Sequence, residues 1–155
     1  MSVDQTQEAV QGTSLKSPHS NDLWGPSNGR KDFFSVHRDG PYAGKHLLVD
    51  LIGAQRLDDI ELVKTTLQEC TELAGATLLH IHAHRFTPNG GISGVAVLSE
   101  SHISLHSWPE VGYAALDIFM CGAADPYAGI AALERAFSPQ RVNVREILRG
   151  QGDIG

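Results

Sequence analysis

The sequence predicts an α/β chain of the α+β kind: a two-layer sandwich with one antiparallel sheet and two helices on one face. Three observations carry this. Short apolar segments alternate with period two, and most of them succeed one another through turn residues, which implies hairpins. Two longer stretches repeat their apolar residues at helical spacing. The 155 residues suit one domain with one hydrophobic core, so a sheet and two helices stack as two layers.

The elements follow in order. Residues 46–52 (HLLVDLI) read as a first strand between Gly44 and Gly53. A helix comes next. Asp58 or Asp59 suits its N-cap, and Ile60, Val63, Leu67, Cys70 and Leu73 form its apolar stripe. Gly75 suits the position past its end. Residues 76–86 alternate Leu79, Ile81 and Ala83 against His80, His82 and His84, as a strand does. Pro88-Asn89-Gly90-Gly91 is a turn, and residues 93–98 pair back across it. The run from Ser99 to Glu110 alternates in the same way, and residues 113–119 form another strand. Asp125-Pro126 opens a second helix, with Tyr127, Ile130, Leu133 and Phe137 as its stripe. Residues 141–147 close the domain as a strand. The expected order is β-α-β-β-β-α-β. Residues 1–42 are rich in Ser, Gly, Asn, Asp and Pro without a sustained period. They read as a mobile N-terminal extension, in which residues 32–36 are able to dock, ahead of a domain at 43–155.

Composition narrows the function. A net charge of −6 argues against nucleic acid as the main partner and is compatible with a cationic small molecule. No run approaches the roughly 20 apolar residues of a membrane span, and the first residues lack a basic-then-apolar signal. Two cysteines, Cys70 and Cys121, are too few for a disulfide framework and suit a reducing cytoplasm.

The run Ser99-Glu100-Ser101-His102-Ile103-Ser104-Leu105-His106-Ser107-Trp108-Pro109-Glu110 concentrates hydroxyls, imidazoles and carboxylates. A serine hydroxyl can attack the carbonyl of the residue before it, here Glu100, and turn the amide into an ester. A base then removes the serine α-proton, the ester leaves by β-elimination, and the dehydroalanine hydrolyses to a pyruvoyl group and ammonia. This chemistry needs a donor for the oxyanion and a nearby base. On the residues alone, simpler alternatives stand beside it. A Glu-Ser pair is common at a polar strand end, His106 suits a hydrogen-bonded structural histidine, Phe86 suits the core, and Cys121, like Cys70, suits a small buried hydrophobe.

A longer pattern bears on that choice. His84-Arg85-Phe86, Pro88, Gly91-Ile92-Ser93-Gly94-Val95 and Ser99-Glu100-Ser101-His102 succeed one another. His106, Trp108-Pro109-Glu110, Gly112-Tyr113-Ala114-Ala115, Asp117, Phe119 and Cys121-Gly122 follow. From about Gly44 to Gly122 the chain resembles the prokaryotic S-adenosylmethionine decarboxylase proenzymes, with one extra glycine before Ser93, a longer N-terminal extension and a short tail. The resemblance implies self-cleavage between Glu100 and Ser101, with Ser101 becoming the pyruvoyl cofactor that forms a Schiff base with substrate. It implies that His106 is the base of β-elimination, that Ser93 assists processing through hydrogen bonding, and that Cys121 donates the proton after decarboxylation. It implies that Phe86 and His106 flank the adenine and that Glu110 takes the ribose hydroxyls. It further implies a dimer of cleaved protomers with active sites near the interface, a cytoplasmic enzyme, and a product that is the aminopropyl donor for spermidine synthesis. Two rivals remain. One is a decarboxylase of the same fold acting on ornithine or arginine; the other is a non-catalytic subunit or metal-binding module. His80, His82 and His84 share one strand face and are the residue type that binds Zn or Ni. Successive members stand about 6–7 Å apart, too far to share one ion easily, so no metal is expected. They are expected to line the sheet beside the substrate or a subunit interface.

Overall fold

The computed structural model describes residues 35–37 and 40–152. A short antiparallel pair comes first, β1 (Ser35–His37) with β2 (Gly40–Tyr42). Then come β3 (Gly44–Ile52), α1 (Ile60–Leu73), β4 (Leu78–Arg85), β5 (Ile92–Leu98), β6 (Ser101–Trp108), β7 (Tyr113–Met120), α2 (Ile130–Phe137) and β8 (Arg141–Arg149). Strands β3 to β8 form one six-stranded sheet in the order β4-β5-β6-β7-β3-β8. All its pairings are antiparallel. The fold class is the one expected, with a strand added. The run beginning at Ser101 is a strand in its own right, so the order from β3 onward is β-α-β-β-β-β-α-β. The expected extension at 1–42 falls largely on residues outside those described. Tyr42, at its end, is buried, so packing reaches at least that far.

Local chemistry sets the helix ends. Asp59 caps α1, its Oδ1 accepting from the Leu62 N–H at 3.0 Å. That bond and the Arg56 guanidinium hold its carboxyl below the usual range. The second helix begins differently from the expectation. Asp125 Oδ1 accepts from Tyr127 N–H at 3.0 Å, and Pro126–Gly129 is a 3-10 turn that leads into α2. The helical segments touch where Gly129 meets Cys70. A Cβ on Gly129 would stand 3.0 Å from the Cys70 Cβ, closer than a side chain tolerates without shifting its neighbour. Burial pushes the Cys70 thiol up to about 12, which marks it as a packing group rather than a reactive one.

Strand parity divides the sheet into two unlike faces. Leu47, Val49, Leu51, Ile103, Leu105, Leu116 and Ile118 point toward the helices and pack with Val63, Leu67, Leu133 and Phe137 in one core. Each such side chain contributes about 1.5–3 kcal/mol through burial. The opposite face carries His46, Asp50, His80, His82, His84, Ser93, His102, His106 and Asp117, and no described helix covers it.

Candidate active site

The expected site residues fall into two groups at opposite ends of β6. The first surrounds the Glu100–Ser101 bond. Strands β5 and β6 are joined by a two-residue turn, Ser99-Glu100, since Leu98 pairs with Ser101. Glu100 closes that turn with φ +63°. Left-handed backbone costs a non-glycine residue about 1–2 kcal/mol, so the bond after Glu100 is held in a strained segment. Ser101 is 8% exposed. Its Oγ accepts a hydrogen bond from the Cys121 N–H at 3.1 Å, just past the end of β7. The hydroxyl is thus fixed beside the strained bond by a backbone donor. The Cys121 thiol is pushed up, first by burial and then by the Glu100 carboxylate, with the Ser101 hydrogen bond opposing. Both causes favour the protonated thiol over the thiolate.

The second group lies on the open face. Ser93 and His106 are direct cross-strand partners of β5 and β6, and Ser93 Oγ lies 2.8 Å from His106 Nδ1. On the far side of Ser93, His84 is its β4 partner. The His84 ring meets Phe86 edge-on, with centroids 4.7 Å apart. Phe86 is 50% exposed, which rules out core packing as its role. At the end of β6, Trp108 stacks on Tyr113 with ring centroids 5.4 Å apart, and the Tyr113 hydroxyl donates to Asp50 at 2.6 Å. Glu110 stands exposed in the 3-10 turn Pro109–Val111 that follows β6. The Phe86 and Glu110 segments abut. A Cβ on Gly91 would fall 2.7 Å from the Ser107 carbonyl oxygen and 3.9 Å from Pro109.

The structure does not bring the two groups together within one chain. Ser101 and His106 are five residues apart on one strand, about 16 Å, and an odd separation sends their side chains to opposite faces. Ser101 lies with the core residues; His106 lies with the open face.

Two further arrangements had no role in the sequence reading. Ser107, buried, accepts from the Ile92 N–H at 2.9 Å and donates to the Leu57 carbonyl at 2.8 Å. It ties the hairpin carrying Ser93 to the loop before α1. On the open face His46 lies between Arg149 (3.1 Å, Nδ1) and Asp117 (3.2 Å, Nε2). An arginine only donates, so Nδ1 accepts and Nε2–H points at Asp117. His102 packs on Phe119 beside them, and burial, with His46 second, lowers its pKa. Among the described residues no three His, Cys, Asp or Glu converge as a metal site. His80, His82 and His84 stand in a row opposite Val97, Val95 and Ser93.

The S-adenosylmethionine decarboxylase family model matches residues 45–150. The chain belongs to that family. Similar curated proteins agree. A Thermomicrobium roseum S-adenosylmethionine decarboxylase proenzyme is 42% identical over 108 residues, covering 69% of this chain and 93% of the relative. The proenzyme of that name from Methanococcus aeolicus is 45% identical over 112 residues, covering 70% and 95%. The crystal structure of the adenosylmethionine decarboxylase from Aquifex aeolicus superposes with a TM-score of 0.61 at 31% identity, covering 70% of this chain and 91% of that one. The fold and the enzyme class of the chain are therefore those of this decarboxylase family. No described helix is long and apolar enough to cross a membrane.

Proposed function

We propose that the chain is a cytoplasmic proenzyme that cleaves itself between Glu100 and Ser101 and then decarboxylates S-adenosylmethionine to the aminopropyl donor for spermidine synthesis. The observation that carries this is local. Glu100 holds a left-handed backbone at the turn, and the next residue, Ser101, has its hydroxyl fixed by the Cys121 N–H. Attack on the Glu100 carbonyl relieves that strain as the amide becomes an ester. Removal of the Ser101 α-proton then breaks the Cβ–O bond, and the Glu100 carboxylate leaves with the electron pair. Addition of water to the remaining unsaturated residue releases ammonia and leaves a pyruvoyl group. That group is an electron sink for loss of carbon dioxide from an amino acid. The Cys121 thiol, kept protonated, then delivers a proton to the substrate carbon.

Substrate recognition belongs to the other end of β6. Phe86 offers an exposed ring, His106 a second one, and Glu110 a bidentate acceptor for vicinal hydroxyls. The Ser93–His106 pair is the base for α-proton removal, with Ser93 fixing the ring through Nδ1. Since the pair and Ser101 lie about 16 Å apart on opposite faces, the base acting on one Ser101 comes from a second copy. This supports a dimer of cleaved protomers with active sites near the interface, each copy completing the other's site. Intact mass under denaturing conditions, followed by carbon dioxide release from S-adenosylmethionine, ornithine and arginine, tests the proposal. Two chains meeting at Glu100 and Ser101, with fastest release from S-adenosylmethionine, are expected. Faster release from ornithine or arginine overturns the substrate, and turnover by a single uncut chain overturns the cofactor.

A further inference from the structure

One strand over from Ser101, on the helix side of the sheet, lies a cavity of about 220 Å³ whose walls include Tyr42, Lys45, Met120, Gly122 and Asp125. The strand registers locate it. Lys45 pairs with Met120 across β3 and β7, and His102 pairs with Phe119 across β6 and β7, so Ser101 lies next to Met120. Ser101, Met120 and Lys45 therefore stand in one row on three adjacent strands, and parity turns all three toward the same face. The row spans two strand spacings, about 10 Å, and the four-carbon lysine stem covers much of it. Among the described residues Lys45 forms no ion pair. Asp125, also in the cavity wall, is already engaged by the Tyr127 N–H.

Serinolysis creates a charge at this spot. The amide carbonyl of Glu100 becomes a carboxylate, beside a Glu100 side chain whose charge already bears on the Cys121 thiol. A second negative charge left there would oppose the thiol's ionisation further and would sit where substrate must enter. The left-handed turn that held Glu100 no longer constrains it once the bond is cut, so the new chain end is free to swing. We propose that this cavity receives the α-carboxylate freed at Glu100 and that Lys45 holds it as an ion pair. Lys45 is then a positioning residue. It clears the new terminus from the pyruvoyl group and helps keep the two product chains together. This inference rests on the cleavage proposed above.

The test is a thermodynamic cycle on the whole chain at fixed protein concentration. Lys45→Met and Lys45→Arg are each melted in the cleaved enzyme and in the uncleavable Ser101→Ala protein. In the cleaved enzyme Lys45→Met should lower the Tm by about 4 °C, the scale on which roughly one kcal/mol appears in a domain of this size. Lys45→Arg should restore most of it, and in the Ser101→Ala protein neither change should shift the Tm measurably. Equal losses in both backgrounds, or none in either, overturn the anchor while leaving cleavage intact. A wild-type chain that stays whole on a denaturing gel overturns the cleavage itself, and the anchor with it.

Discussion

The two ends of strand β6 are built from opposite materials. At Ser101 the groups are backbone-rich: a buried hydroxyl, an amide N–H and an exposed left-handed residue held in place by the hairpin. At His106 to Glu110 they are exposed and side-chain-rich: imidazole, indole and carboxylate on a face with no described helix over it. The first end has what a single internal bond rearrangement needs, which is fixed geometry. The second has what recognition of an incoming molecule needs, which is accessible rings and charge. Placing both on one strand keeps them a constant distance apart, so neither can serve the other in the same chain.

The largest effect should come from mixing variants of the two ends. Ser101→Ala and His106→Ala, expressed separately, should each stay uncut or nearly so, since a general base contributes about 10²–10⁴-fold. Expressed together, the His106→Ala chain should be cut, because its Ser101 meets the intact histidine of the other copy. A mixture that remains uncut, or a His106→Ala chain that cuts normally alone, breaks the division between the ends. Next, Cys121→Ala should still cut to a substantial extent, because the Ser101 hydroxyl starts cleavage, but should turn over about 10²–10⁴-fold more slowly. Mass of the small chain after reaction should show more pyruvoyl converted to alanine. Wild-type turnover by the cut variant would reduce Cys121 to a packing residue.

A smaller change should follow Glu110→Gln, which keeps the shape and removes the charge. KM should rise about tenfold, the scale of one weakened charge-assisted hydrogen bond, with the extent of cutting unchanged; a slowed cut would give Glu110 a part at the first end. The smallest effect concerns the thiol. In the Ser101→Ala background, Glu100→Gln removes a negative neighbour that raises the Cys121 pKa. The pKa should fall, more thiolate should be present at a given pH, and alkylation of Cys121 should speed up roughly twofold. An unchanged rate would mean that burial alone sets the thiol.

Much of this was legible before the structure. Alternation, turn residues and helical stripes gave the sheet and both helices; Asp59 is one of the two caps the pattern offered for α1, while Asp125 caps the 3-10 turn that leads into α2 rather than α2 itself. The family's motifs pointed to the proposed site residues in order. What they did not give was its division into two halves, although the signal was present: an odd spacing between Ser101 and His106 on a strand already means opposite faces. Ser107 and the His46–Asp117 pair were missed for a different reason. Their partners lie 50 and 71 positions away, and only strand registers bring them together. The pair β1–β2 was illegible because three-residue strands carry no period.

The turn Ser99-Glu100 is a place where the sheet can lose its covalent continuity without losing its register. Leu98 and Ser101 face each other across it, and the β5–β6 ladder continues to Ser93 and His106. A cut there opens no gap in the hydrogen-bond network and strips no residue from the core, so both fragments remain neighbours in the same fold. It is the place a protein engineer would choose to divide this chain for reassembly from two genes. Such a reassembled molecule would regain the architecture and still lack the proposed activity, because a serine that begins a translated fragment carries an amine where the pyruvoyl group proposed above carries a ketone.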